Sequence, residues 1–201
     1  MKKNSLLKNL KKDLKDKREY KKALYFLFLF IVFFICFYLV LSEILYVYIN
    51  YFFGYLSSWI LENLFRVSNI FIFDSINKFS LIVIPKIKDP IIISFLCTGI
   101  LEFCLLSSAI FASKGIDLFK RFYGFLIAIP LVIFFNLFRI TLTTYIITIA
   151  NLGLAEFMHG FLFRIFLVII VVGFYYFWFK NSYKWKYYAK EKSNNCSSKE
   201  K

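Results

Sequence analysis

Long stretches of the chain run without polar interruption. Residues 23–41, ALYFLFLFIVFFICFYLVL, contain no charge, and neither do 123–138 or 165–179. An uncharged apolar run of about 18 residues or more, wound as a helix, crosses the ~30 Å hydrocarbon layer of a bilayer. A fourth apolar run, 93–113, holds SFLCTGILEF, where Cys97, Thr98, Gly99 and Glu102 break the pattern. Between the first block and this one the pattern changes twice. YFFGYLSSWILENLF, around 52–65, mixes Tyr and Trp with apolar residues, as a helix lying at headgroup level does. Residues 66–92 are rich in β-branched and aromatic residues and alternate weakly. They are punctuated by Asp74, Asn77, Pro85 and Pro90, which predicts a short hairpin. Pro90 is expected to end the extended piece, and the next span to begin just before Cys97.

These patterns predict an all-α multi-spanning membrane protein. It has about four transmembrane helices (about 23–49, 93–113, 123–150 and 161–179), an interfacial helix and a short extracytoplasmic β-hairpin-like segment. Residues 1–22 and 180–201 read as basic tails around one membrane-embedded domain, 23–179. Composition agrees. The chain is 60% hydrophobic and 22% aromatic, with mean hydropathy +0.67, where soluble domains hold about 45–50% apolar residues. No cleavable leader is expected. The first apolar run begins at Ala23, is too long for a signal h-region and has no small-residue cleavage site after it.

Charge sets an orientation. Residues 1–22 carry net +7, residues 180–201 net +5 and the short segment 114–122 net +2; together these make the whole formal charge of +14. Basic residues are retained on the cytoplasmic side. Both tails and 114–122 are therefore expected inside, and 62–92 and the loop 151–160 outside. Lys-rich tails beside spans are anchors against anionic headgroups before they are nucleic-acid sites, so no nucleic-acid partner is expected. Cys36, Cys97, Cys104 and Cys196 show no CxxC spacing and no accompanying histidine cluster, so neither a metal site nor a disulfide framework is expected.

Ionisable groups inside spans are costly and usually mark function. Here they are Glu102, Arg139 and Arg164, with His159 at a span mouth. Arg139 lies sixteen residues beyond Tyr123, about 24 Å up a helix entered from the cytoplasm. Cys97, His159 and Arg164 all fall near the outer ends of their spans. A free thiol titrates near 8.5, so a neighbouring Arg or His is what makes its thiolate accessible. Asn136, Arg139 and Thr143 share a helix face. Arg139 could stabilise a thiolate or an oxyanion, and His159 could carry a proton. Each residue also has a plainer use. Cys97 could be a small core residue, Arg139 could pair with Glu102 to hold the bundle, His159 could anchor an interface and Arg164 could snorkel.

The order Cys97-Thr98-Gly99-Ile100, Asn136-Leu137-Phe138-Arg139-Ile140, His159-Gly160-Phe161-Leu162-Phe163-Arg164 resembles the exosortase/archaeosortase family of membrane cysteine transpeptidases, over about residues 90–175. The resemblance implies Cys97 as nucleophile, Arg139 as thiolate or oxyanion stabiliser and His159 as proton donor and acceptor, with Arg164 as alternate. Thr98, Gly99 and Asn136 would contact substrate. It further implies exported proteins as substrates, bearing a C-terminal sorting signal of short motif, membrane span and basic cluster. The reaction would pass through an acyl-enzyme, with a membrane lipid as acceptor and no cofactor or metal. The competing class is a small transporter or channel subunit with a buried Arg139–Glu102 pair. Paired broken helices or internal repeats would favour it, and none is visible in the sequence.

Overall fold

A computed structural model describes residues 2–87, 89–94, 97–149 and 157–197, with the side chains of 2–18, 158–159 and 183–197 outside the description. The chain is mostly helical. Helix α1 (Lys2–Leu39) passes through a π-helical segment (Val40–Leu45) into α2 (Tyr46–Asn63). A three-stranded sheet follows, with β1 (Ile70–Asp74), β2 (Phe79–Val83) and β3 (Ile91–Ile93). Then come α3 (Ile100–Ala112), α4 (Leu118–Ile149), a second π-helical turn (Met158–Leu162) and α5 (Phe163–Ser197).

Three helical stretches are long and apolar enough to cross a membrane: Glu19–Asn63, Leu118–Ile149 and Gly160–Ser182. The fourth expected span, 93–113, forms a helix over only 13 residues, about 20 Å at 1.5 Å per residue. The reason is Gly99. It takes a left-handed conformation, φ +74°, and starts α3 there rather than near Ser94. Residues 52–63 do not form a separate interfacial helix. They continue the first helix through the π-helical segment, so helical backbone is unbroken from residue 2 to 63.

The hairpin expected in 66–92 is present, with Ile70 opposite Val83 and Asp74 opposite Phe79. Its turn is fixed by Asp74, whose carboxylate accepts from the backbone N–H of Ile76 and Asn77 and from the Asn77 side chain. Those bonds, Asn77's above all, hold the Asp74 carboxyl below its usual range. Pro90 does not end the extended chain. Ile91–Ile93 pairs antiparallel with Ser80–Ile82 and makes a third strand that leads directly toward Cys97.

The sheet docks on α2. Phe71 and Ser80 lie against Gly54, where any Cβ would collide with both. Asn50, fully buried, is the hub. Its amide nitrogen donates to the carbonyl oxygens of Ile93 and Lys78 and to the Tyr46 hydroxyl. Its side-chain oxygen accepts from the Ser80 N–H, and its backbone oxygen accepts from the Ser80 hydroxyl. Two apolar clusters result. One joins α2, the sheet and α4 through Phe53, Leu61, Ile82, Ile93, Leu137 and Ile140. The other joins α3, α4 and α5 through Leu106, Ile110, Ala128, Val132 and Trp178.

The segment 114–122 contacts both α1 and α5 at one end of the bundle. Lys114 Nζ lies over the Tyr25 ring, 4.2 Å from its centre. Trp178 Nε1 donates to the Lys120 carbonyl oxygen, and its indole fills the space against Gly124. Arg121 closes the short 113–117 connection by donating to the Phe111 and Ile116 carbonyl oxygens, as a cation at a helix C-terminus can.

Candidate functional site

Strand β3 delivers the chain to a tight turn at Cys97. The Cys97 N–H donates to the Ser94 carbonyl oxygen at 2.9 Å, and the Cys97 thiol and the Ser94 hydroxyl share a hydrogen bond of 3.6 Å. The thiol is half-buried and packs against the cluster containing Leu137 and Ile140 of α4. Thr98 is buried, and Gly99 then reverses the backbone and caps α3, its carbonyl oxygen accepting from Phe103 N–H. A β-carbon at Gly99 would overlap the Asn136 amide. Glycine is thus required twice here, for positive φ and for close approach.

This contact brings two of the sequence motifs together. Asn136, fully buried, seats its side chain against Gly99 while its amide nitrogen donates back to the Val132 carbonyl oxygen. One turn further along α4, Arg139 is 2% exposed. Its Nη1 lies 3.8 Å from Glu102 Oε1 on α3, an ion pair longer than a charge-assisted hydrogen bond. Three buried polar atoms on this face of α4 have no hydrogen-bond partner: Asn136 Oδ1, Arg139 Nε and Thr143 Oγ1. Buried donors and acceptors are nearly always paired, so a stripe of three unpaired ones beside a cysteine turn is unusual.

The remaining candidates sit apart or outside the description. His159 lies in the π-helical turn Met158–Leu162, which packs on α4, and its side chain is outside the described residues. Arg164 is exposed in the first turn of α5, whereas Arg139 is buried. The loop 151–160 falls largely in 150–156, also outside the description. Phe166 packs on Phe135 with ring centres 5.8 Å apart, so the start of α5 is level with the Asn136 turn. Cys36, on an exposed face of α1, and Cys104, buried within α3, are not in disulfides. Among the described residues no group of three His, Cys, Asp or Glu side chains converges.

Two residues near the site were not singled out in the sequence. Ser94 precedes Cys97 by three positions, the spacing of a 3₁₀ turn, and that spacing was the only signal it gave. Asn50 fixes the end of β3 from 43 residues away, and its polarity within an apolar stretch was the available sign.

Next to the Cys97 turn lies an apolar cavity of about 420 Å³, bounded by the π-helical segment, α2, Thr98–Phe103 and α4. Comparison with protein-family models, with curated proteins and with solved structures finds no match to this chain.

Proposed function

We propose that this protein is a multi-pass membrane cysteine transpeptidase of the exosortase/archaeosortase kind. Both termini are cytoplasmic, and its site faces the extracytoplasmic side. The observation that carries this reading is the seating of the Cys97-Thr98-Gly99 turn on Asn136, with Arg139 one helical turn away, buried and only partly paired. Motifs 39 positions apart in the chain thus share one layer. The unpartnered Arg139 Nε–H is the kind of preorganised donor that an oxyanion uses.

In the proposed reaction the Cys97 thiolate attacks a peptide carbonyl of the substrate's sorting signal. A C–S bond forms, and the carbonyl electron pair moves onto oxygen, where Arg139 stabilises it. Collapse of this tetrahedral species breaks the C–N bond, and the leaving amine takes a proton, the role proposed for His159, with Arg164 as alternate. An amine or hydroxyl of the acceptor, proposed to be a membrane lipid, then attacks the thioester carbonyl. The C–S bond breaks, the thiolate is released, and the acceptor's proton goes to the group that protonated the leaving amine. Thr98, Gly99 and Asn136 are proposed to contact the substrate backbone.

A second reading has its own observation. The 3.8 Å Arg139–Glu102 pair ties α4 to α3, which suits a non-enzymatic transporter or channel subunit held together by a buried ion pair. The test is processing of a co-expressed substrate bearing a C-terminal sorting signal. Cys97→Ala is expected to abolish it, while Cys36→Ala, Cys104→Ala and Cys196→Ala retain it. Full processing by Cys97→Ala would remove the enzyme reading.

A further inference from the structure

The cavity beside the Cys97 turn has features that the proposed chemistry does not use. Its walls come from Leu41 and Leu45 of the π-helical segment, Thr98 and Phe103 at the start of α3, and Ile129 and Ile133 of α4. Tyr48 and Phe52 also line it, and they are 72% and 45% exposed, so the space opens sideways on the outer surface of the bundle. The π-helical geometry is part of its construction. Both Leu41 and Leu45 belong to the Val40–Leu45 segment, and such insertions are uncommon and concentrate at functional sites. The same segment leaves Ser42 Oγ buried without a partner.

Size and chemistry select the occupant. The lining runs along the first helix from Leu41 to Phe53 and along α4 from Phe125 to Ile133, lengths of roughly 18 and 12 Å. A helix covering about 12 Å has about eight residues and roughly 40 heavy atoms or more, whereas an apolar cavity of about 150 Å³ holds the six carbons of one benzene, so the 420 Å³ present is too small for it. Water needs several polar partners, and the described walls are almost wholly hydrocarbon. On that same scale, six carbons to about 150 Å³, the space takes roughly fifteen carbons, which is a single hydrocarbon chain. Apolar walls without partner atoms forfeit dispersion contacts, and in a bilayer the material at hand to restore them is a lipid tail.

We infer that this cavity is a binding slot for one hydrocarbon chain of a membrane lipid, entered past Tyr48 and Phe52. Its inner end rests against Thr98 and Gly99, in the turn that carries Cys97. The slot depends on the membrane placement proposed above and not on Cys97 being a nucleophile.

The full-length Cys97→Ala protein would be reconstituted in phosphatidylcholine vesicles doped with a phosphatidylcholine bearing a mid-chain diazirine. After irradiation, adducts would be mapped by peptide mass spectrometry. The exposed face of α5, with Ile165, Val168, Ile169 and Val172, reports ordinary contact with surrounding lipid. Adducts on the cavity walls are expected to exceed those on α5 several-fold. Ile133→Trp, which fills the slot, should suppress the wall adducts on 41–53 and leave those on α5 unchanged. If Ile133→Trp does not accumulate, Ile129→Phe on the same wall replaces it. Equal labelling of cavity and α5, or wall adducts indifferent to both substitutions, would overturn the slot. Loss of adducts on α5 as well would instead strike at the membrane placement.

Discussion

Arg139 can serve two ends, and the two fail differently when it is changed. As an oxyanion or thiolate donor it needs the planar guanidinium fork, which lysine lacks. Arg139→Lys should then lower substrate processing by about 10²-fold or more, the usual cost of one such donor, while the protein still accumulates in the membrane. As half of an ion pair it needs only charge. Arg139→Ala would then strand the Glu102 carboxylate, at a cost of about 3–5 kcal/mol, and lower membrane abundance. Glu102→Gln in the same chain should restore it. Processing and abundance measured side by side for these variants separate the roles. Normal processing by Arg139→Lys, with abundance rescued in the double variant, would assign Arg139 to architecture. At this scale the sequence was informative about identity and silent about partners. Cys97, Asn136 and Arg139 stand out as polar interruptions in apolar runs, and helical spacing put Asn136 and Arg139 on one face. That Asn136 abuts Gly99 could not be read, because the contact joins two helices whose relative rotation no local pattern encodes.

The elements differ from their sequence pattern where one residue changes the backbone. The continuous helix from residue 2 to 63 is expected from sequence to break into a span and an interfacial helix, since the stretch around 52–65 carries the Tyr and Trp of a segment at headgroup level. The backbone instead absorbs the change in a π-helical segment, Val40–Leu45, which leaves no periodic signature. Gly99 had the opposite effect. The run 93–113 is mostly apolar, yet the left-handed glycine shortens its helix to Ile100–Ala112. Non-helical backbone at membrane depth is tolerated where protein buries it, and Thr98 and Gly99 are both buried. The hairpin was legible from Asp74 and Asn77, while β3, three residues long and preceded by Pro90, was too short to announce itself. Asn50 ties these elements together. Replacing it with leucine would leave the Ile93 carbonyl and the Ser80 N–H without their Asn50 partners, and each buried group so stranded costs about 1–3 kcal/mol. Asn50→Leu is therefore expected to lower the thermal unfolding midpoint of the purified protein markedly. It should also raise the reactivity of Cys97 toward a small maleimide as β3 loosens. An unchanged midpoint together with unchanged reactivity would show that the sheet is held elsewhere.

In the whole molecule, the Cys97 turn and the Lys114 segment lie far apart along the helices. Tyr25, Lys114, Lys120 and Trp178 mark one end of the bundle. Leu45 and Gly99 border one cavity, and Leu45 lies twenty residues, about 30 Å, beyond Tyr25. Asn136, against Gly99, lies eighteen residues, about 27 Å, along α4 from Leu118. The Cys97 turn therefore lies about 30 Å along the helices from the Lys114 end of the bundle. In the proposed orientation the sheet, docked on α2, is extracytoplasmic. In a background lacking the native cysteines, an impermeant maleimide on intact cells should label Ile76→Cys at the exposed hairpin tip. Lys114→Cys, in the exposed turn at the basic end, should react only after permeabilisation. The reverse pattern would put the site on the wrong side for an exported substrate.

The central claim is that Cys97 forms a covalent bond to the substrate acyl group, and trapping that bond tests it most directly. Wild-type protein incubated in membranes with a sorting-signal substrate, quenched in acid and analysed by peptide mass spectrometry, should carry the substrate's acyl fragment on Cys97. That adduct should be released by hydroxylamine, as a thioester is, and be missing in Cys97→Ala. Cleaved substrate accumulating with no acyl adduct on Cys97 at any time, or an adduct on another residue that persists in Cys97→Ala, would contradict it.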